Sequence, residues 1–270
     1  MRDSTETILA SLNTHGGRGA DGRPYDLGAA CRQLNADVIV LQEVWRPRAG
    51  PDPVTEIAAA LGAEPLWADL MPEADLRSFG IADETARGRW GLATLTTVPV
   101  TGYQVTGLGQ VAGDPIPRSA QLITMDLPGQ EPMRIVNTHL TYRLLSPVQL
   151  LRLVRRLTAD DIPTVIAGDL NMPGPVTGLA AGYAPAVSGR TYPAHRPLVQ
   201  LDLSPAAGSP GAAVRSSRPP APTIARSGPG CASDNRGAGH PSAGDGQPVE
   251  SRPGRGMKPA HRAGLAAIPS

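Results

Sequence analysis

Two kinds of apolar spacing run along this chain, and each marks a type of element. Short, nearly continuous apolar stretches bounded by polar or glycine residues read as buried strands. They are expected at residues 7–13, 38–43, 64–68, 91–97, 120–126, 133–139, 164–168 and 198–202. Helical spacing appears in Leu27, Ala30, Cys31 and Leu34, which predicts a helix over Tyr25–Leu34 that Asp26 can start. Pro53–Leu61 predicts a second helix, with Pro53 tolerated in its first turn. Pro147–Leu157 predicts a third, with Val148, Leu151 and Val154 as the apolar stripe and Arg152, Arg155 and Arg156 on a solvated face. The turn sequence Leu127–Gln130 predicts a hairpin, hence antiparallel pairing inside a mixed sheet.

Four of the apolar runs finish alike, each delivering a polar side chain at its end: Asn13, Glu43, His139, and the Asp169–Asn171 pair just past Gly168. Positions i and i+2 of an extended or turning backbone project to one side, so Asp169 and Asn171 are presented together. A carboxylate accepts hydrogen bonds or protons, and a carboxamide both donates and accepts; the pairing suits chemistry on a phosphate. The alternative for this pair is an Asx-type turn that bonds only local backbone. For Glu43 the alternative is a solvated strand-end acid, and for His139 a structural histidine. Complementary chemistry at all of these strand ends favours a site, because loops there are held by a rigid scaffold.

The segments Leu-Asn-Thr-His-Gly (12–16), Leu-Gln-Glu-Val (41–44), Gly-Leu-Ala-Thr-Leu (91–95), Asn-Thr-His-Leu (137–140) and Gly-Asp-Leu-Asn-Met-Pro (168–173) follow one another in that order. The series resembles the endonuclease/exonuclease/phosphatase superfamily, the deoxyribonuclease I-like fold, over roughly Thr7 to Asp202. The resemblance implies an α/β (α+β) chain built as a four-layer sandwich, two mixed β-sheets face to face with helices outside. It implies a Mg²⁺- or Mn²⁺-dependent phosphoric ester hydrolase that cleaves a phosphodiester by attack of water on phosphorus, as a nuclease does. Glu43 is similar to the family's metal-binding glutamate, with Asn13 assisting; hard oxygen ligands suit such an ion. His139 matches the histidine that donates to a phosphoryl oxygen. Asp169 matches the aspartate that orients or deprotonates water, or protonates the leaving group. Asn171 is similar to the asparagine that holds the scissile phosphate, and Asp202 to the acid that orients a late catalytic histidine.

Past Asp202 the chain departs from the pattern, which continues with further strands and a Ser-Asp-His motif. Ser233-Asp234-Asn235 is the nearest relic, with asparagine in the histidine's place, and His240 and His261 lie in Pro/Gly-rich surroundings. Residues 203–270 hold 11 Pro, 11 Gly and no aromatic residue among 68. So few apolar side chains cannot offset backbone ordering at about 1–2 kcal/mol per residue. The expected organisation is therefore a domain over 1–202, missing its last strands, and a disordered tail over 203–270. The tail has eight basic and three acidic residues, +5, which leaves 17 basic and 21 acidic, −4, for the rest. A natural basic tail is one explanation, and a reading-frame shift just after Asp202 is the other. The break falls where a core strand should begin, and out-of-frame GC-rich DNA yields Arg, Pro, Ala and Gly; both points favour the frame shift. Catalysis without the late histidine is expected to be poor, and the alternatives to an active enzyme are a catalytically defective family remnant or a module that binds phosphate or nucleic acid without turnover.

Cysteine usage and targeting signals narrow the setting. Cys31 and Cys231 imply no disulfide framework, and neither a signal peptide nor a transmembrane run is visible, which predicts a cytoplasmic monomer. The expected partner is a phosphoester substrate, with nucleic acid as the leading candidate. Yet residues 1–202 are slightly acidic and poor in aromatics, so they lack an obvious basic stripe or stacking platform. Arg77, Arg87, Arg89 and Trp90 form either a phosphate-contacting rim or a surface loop with scattered arginines.

Overall fold

The computed structural model describes residues 7–19, 22–75, 87–127, 131–142, 145–157, 162–172, 183–185, 205–207 and 212–216. In chain order, β1 (Thr7–Asn13) and a 3₁₀ turn (His15–Gly17) lead to α1 (Leu27–Leu34), β2 (Val38–Pro47), α2 (Pro53–Leu61), β3 (Glu64–Asp75) and β4 (Arg87–Thr96). β5 (Val100–Gly109), β6 (Arg118–Met125), β7 (Met133–His139), α3 (Ser146–Leu157), β8 (Thr164–Asp169), β9 (Ala184–Pro185), β10 (Pro205–Ala207) and β11 (Ala212–Ser216) follow. Local chemistry sets the helix ends. Asp26 caps α1 by accepting from Ala29 N, and Asp52 caps α2 by accepting from Val54 N and Thr55 N. Gly62 ends α2 with φ +64°, a left-handed conformation that costs glycine nothing.

The strands form two mixed sheets, ordered β11-β1-β2-β4-β3 and β5-β6-β7-β8-β10-β9. β1 and β2 are parallel neighbours in the first, β7 and β8 in the second. Alternation along each strand divides its side chains between two faces. Leu9, Val38 and Val40 meet Ile123, Met125, Met133, Ile135, Val165 and Ala167 between the sheets. Ala10, Leu12, Ile39 and Leu41 point the other way, against α1 and α2. Ala120, Val136 and Ile166 pack under α3. The layers therefore run helix, sheet, sheet, helix, which is the four-layer sandwich expected. β6 and β7 pair antiparallel, as the hairpin signal required.

Three departures have physical causes. On α3, the buried stripe is Leu150, Leu153, Val154 and Leu157, while Val148 and Leu151 are 42% and 38% exposed. Both faces carry apolar residues, and the one that fits the sheet buries larger side chains, about 1.5–3 kcal/mol each. Arg152, Arg155 and Arg156 do lie on the exposed face as expected, and two of them also reach β5. Arg152 Nη1 donates to Leu108 O at 3.0 Å, and Arg156 Nη1 donates to Thr106 Oγ1 and Gly107 O, which fastens α3 to β5. β5 itself was not expected. It is an edge strand with Gly102, Gly107 and Gly109 and with Tyr103 and Val105 exposed, so it has no apolar run to read.

The third departure concerns the chain beyond 202, where composition suggested a tail without strands. β10 pairs antiparallel with β8 through Ala206 and Ala207, and β11 pairs parallel with β1 from Thr7↔Ala212 to Ser11↔Ser216. Ladder pairing uses backbone groups that almost every residue carries, and the open edges of β1 and β8 offer them without asking for apolar side chains. The strand expected at 198–202, and Asp202 with it, lie outside the described residues.

Candidate functional site

The C-terminal ends of β1, β2, β7 and β8 converge, and each end is shaped to present a polar side chain. In β2 the antiparallel register with β4 slips between Leu41 and Val44, a bulge that sets Glu43 at φ +53°. Such bulges re-aim a side chain that would otherwise follow the pleat. Thr14 Oγ1 ties the bulge to β1, donating to Gln42 O at 3.0 Å and Glu43 O at 2.8 Å. At the end of β8, Gly168 has φ +123°, and a Cβ there would lie 2.0 Å from Thr138 O, so only glycine lets β7 and β8 approach this closely. Asn171, at φ +51°, donates its backbone N–H to Asp169 Oδ1 at 3.0 Å. The local Asx turn is thus present, and it aims the pair into the site.

One amide links the two carboxylates. Asn13 Nδ2 donates to Glu43 Oε1 at 3.2 Å and to Asp169 Oδ2 at 3.1 Å, while its Oδ1 accepts from His15 N at 3.0 Å. His139 lies alongside, with Nδ1 3.8 Å from Glu43 Oε1 and Nε2 3.8 Å from Asp169 Oδ2. Asn171 Nδ2 is 3.0 Å from His139 Nε2 and donates to Leu140 O at 2.9 Å. An amide nitrogen only donates, so Nε2 accepts and the ring proton sits on Nδ1, towards Glu43. Glu43, His139 and Asp169 are all buried.

Burial raises the Glu43 pKa, opposed by His15, the Asn13 hydrogen bond and Arg118. Burial also lowers the His139 pKa well below its ordinary range, with Arg118 adding to the shift. Arg118 is only 1% exposed; its Nε donates to Asp114 Oδ2 at 3.0 Å and its Nη1 to His139 O at 3.4 Å. Glu43 Oε2 is buried with no hydrogen-bond partner.

The structure therefore brings together Asn13, Glu43, His139, Asp169 and Asn171. Sequence reasoning missed His15, whose strained φ of +48° turns it beside Glu43, and Arg118, a lone arginine opening a strand. His15 stood inside a quoted motif and could have been singled out; nothing in the sequence marked Arg118. Of the arginine rim, Arg87 and Arg89 face acids on β3, at 3.9 Å from Asp75 and 3.3 Å from Asp69. Arg77 lies outside the described residues.

The sequence profile of the Endonuclease/Exonuclease/phosphatase family matches residues 10–231, from within β1 to beyond β11. The chain belongs to the endonuclease/exonuclease/phosphatase family. Solved structures share its fold. An endonuclease/exonuclease/phosphatase from Beutenbergia cavernae is 22% identical with a TM-score of 0.55, over 75% of this chain and 64% of that one. A mannosyl-6-phosphatase from Bacteroides thetaiotaomicron is 13% identical with a TM-score of 0.54, over 74% and 85% of the two chains. The catalytic domain of human Nocturnin, solved with bound sulfate, is 16% identical with a TM-score of 0.53, over 68% and 77%. No match is found among curated proteins.

For a family that generally uses divalent metals, the donor set can be tested directly. The unpartnered Glu43 Oε2 is a hard oxygen held in place with nothing to satisfy it, which is what a Mg²⁺ or Mn²⁺ ligand requires. Asn13 fits less well as oriented, because its amide nitrogen, not its oxygen, faces the carboxylates. Among the described residues no three His, Cys, Asp or Glu side chains are grouped as a metal cage. A Mg²⁺ site needs none, since this ion keeps several waters and takes one or two carboxylates.

Proposed function

We propose that the chain is a metal-dependent phosphoesterase that hydrolyses a phosphodiester in the manner of a nuclease. The observation that carries this reading is the buried, unpartnered Glu43 Oε2 beside His139, Asp169, Asn13 and Asn171. Glu43 would hold Mg²⁺ or Mn²⁺, with Asn13 beside it and its amide nitrogen kept on both carboxylates. A bound ion supplies Lewis-acid stabilisation of charge on the phosphoryl oxygens.

The chain's own residues supply the rest. Asp169 has one oxygen fixed by Asn171 N and the other by Asn13 Nδ2, so its carboxylate plane is set to orient a water and take its proton. His139 is kept neutral by burial and Arg118; its one N–H, on Nδ1 while Asn171 occupies Nε2, would have to move to Nε2 for the ring to donate to a phosphoryl oxygen that gains charge in the transition state. Asn171 holds the ring through Nε2; when a phosphate displaces that contact, its amide becomes a donor to the substrate. Asp202 would orient a late histidine, but no residue after it reads as Ser-Asp-His, so turnover is expected to be low. The paired states of Arg87 and Arg89 remove the strongest argument for a long basic groove, which favours a small or flexible phosphodiester.

The test is hydrolysis of bis(4-nitrophenyl) phosphate and of plasmid DNA with Mg²⁺ or Mn²⁺, beside a phosphate monoester as comparison. Diester turnover that chelator abolishes is expected. Turnover of the monoester alone would replace the diester reading. No turnover of any substrate with either ion would overturn the proposal.

A further inference from the structure

Glu43 owes its direction to the β2 bulge, and the bulge is held from the opposite sheet. Asn137, on β7 two residues before His139, is fully buried between the sheets. Its Nδ2 lies 3.2 Å from Leu41 O and 2.9 Å from Ala93 O, donating towards the carbonyls of the last residue pair before the register slips. Its Oδ1 accepts from Gln42 Nε2 at 2.8 Å, inside the bulge itself. The same amide nitrogen also approaches Gln121 Oε1 at 2.8 Å and Thr94 Oγ1 at 3.4 Å.

We infer that Asn137 is a positioning residue that clamps the β2 bulge from the facing sheet, setting Glu43 for metal and His139 for substrate at once. The inference rests on the reading of Glu43 and His139 given under the proposed function. A β-strand would keep its pleat through residues 41–44 unless something stabilised the extra residue. Here Thr14 takes the Gln42 and Glu43 carbonyls from β1, and from β7 Asn137 takes the Gln42 amide on its oxygen and shares its two N–H protons among the Ala93 and Leu41 carbonyls and Gln121. Because Asn137 shares its strand with His139, the clamp also fixes the separation of the two side chains. A buried amide whose donors and acceptor are all engaged has no other orientation of comparable energy.

The experiment compares Asn137→Leu with Leu153→Ala, which opens a cavity under α3 and leaves the bulge alone. Amide hydrogen exchange at Gln42–Val44 is the first measurement, and Mg²⁺ affinity by titration calorimetry the second. In Asn137→Leu, exchange at Gln42–Val44 should quicken at least tenfold relative to β7, and Mg²⁺ affinity should fall at least fivefold. Leu153→Ala should lose thermal stability yet keep both values. If Asn137→Leu does not fold, Asn137→Ser is used, since a serine hydroxyl on β7 cannot span to both carbonyls. Wild-type exchange at Gln42–Val44 in the variant, or equal quickening in Leu153→Ala, overturns the clamp. If the wild-type protein binds no Mg²⁺, the proposed function fails and the exchange arm still decides this inference.

Discussion

His139 and Asp169 are register partners across the parallel β7–β8 ladder, and their side chains face each other with Nε2 3.8 Å from Oδ2. Parallel pairing brings the ends of both strands to the same edge of the sheet, so two residues 30 positions apart in sequence share one site. Asn13 and Gln42 are related in the same way across β1 and β2. The facing of the two sheets then sets Asn13 and Glu43 against His139 and Asp169.

Glu43→Gln keeps the side chain's shape and removes its charge. Mg²⁺ affinity should fall at least tenfold, about 1.4 kcal/mol. Without metal the variant should melt no lower than the wild type, because a buried amide is cheaper to desolvate than a carboxylate whose pKa burial has raised. Unchanged affinity by titration calorimetry would remove Glu43 from the metal site.

His139→Ala should lower kcat by roughly 10²–10³ with little change in KM, the signature of a donor used mainly in the transition state. Steady-state kinetics on the diester substrate reads this directly. A raised KM with kcat intact would assign His139 to ground-state binding.

Stability should depend on pH through His139. Its folded-state pKa lies below the ordinary 6.5, so between that lower value and 6.5 the unfolded chain binds more protons. The contribution is fully present above about 6.5 and is lost as pH falls through that window. Glu43 has the opposite sign: raised above its ordinary 4.5, it stabilises below that value and loses the contribution as pH rises through the folded-state value. Urea midpoints of the metal-free protein should fall more steeply on acidification for wild type than for His139→Gln. Parallel curves would show that His139 is not held neutral.

The buried Arg118–Asp114 pair should behave as a unit. Arg118→Met leaves Asp114 uncompensated at 2% exposure and should cost about 3–5 kcal/mol. Adding Asp114→Asn should recover most of that loss, which a double-mutant cycle by urea unfolding would show. Additive losses would mean that the two charges are satisfied independently.

Much of this protein could be read from its sequence because the signals were local. Asp26, Asp52 and Gly62 bound their helices through side chains and φ values that depend on neighbours a few residues away. Apolar runs at Leu9–Leu12, Val38–Leu41 and Val165–Ala167 are buried on both faces whatever they meet, so the strands and their polar endings Asn13, Glu43, His139 and Asp169 were visible at once. What the fold alone decided depends on residues far apart in the chain. The face of α3 that is buried was chosen by the shape of the sheet beneath it, and β5 exists only because β6 and α3 pin an otherwise unremarkable segment. The bulge that turns Glu43 needs Thr14 from one neighbour and Asn137 from the facing sheet, 96 residues beyond Leu41. Arg118 became part of the site only when Asp114 met its charge and β7 carried His139 past it. Periodicity tells which side of a strand is dry, whereas the direction of a single carboxylate is settled by hydrogen bonds that form only once the sheets have met.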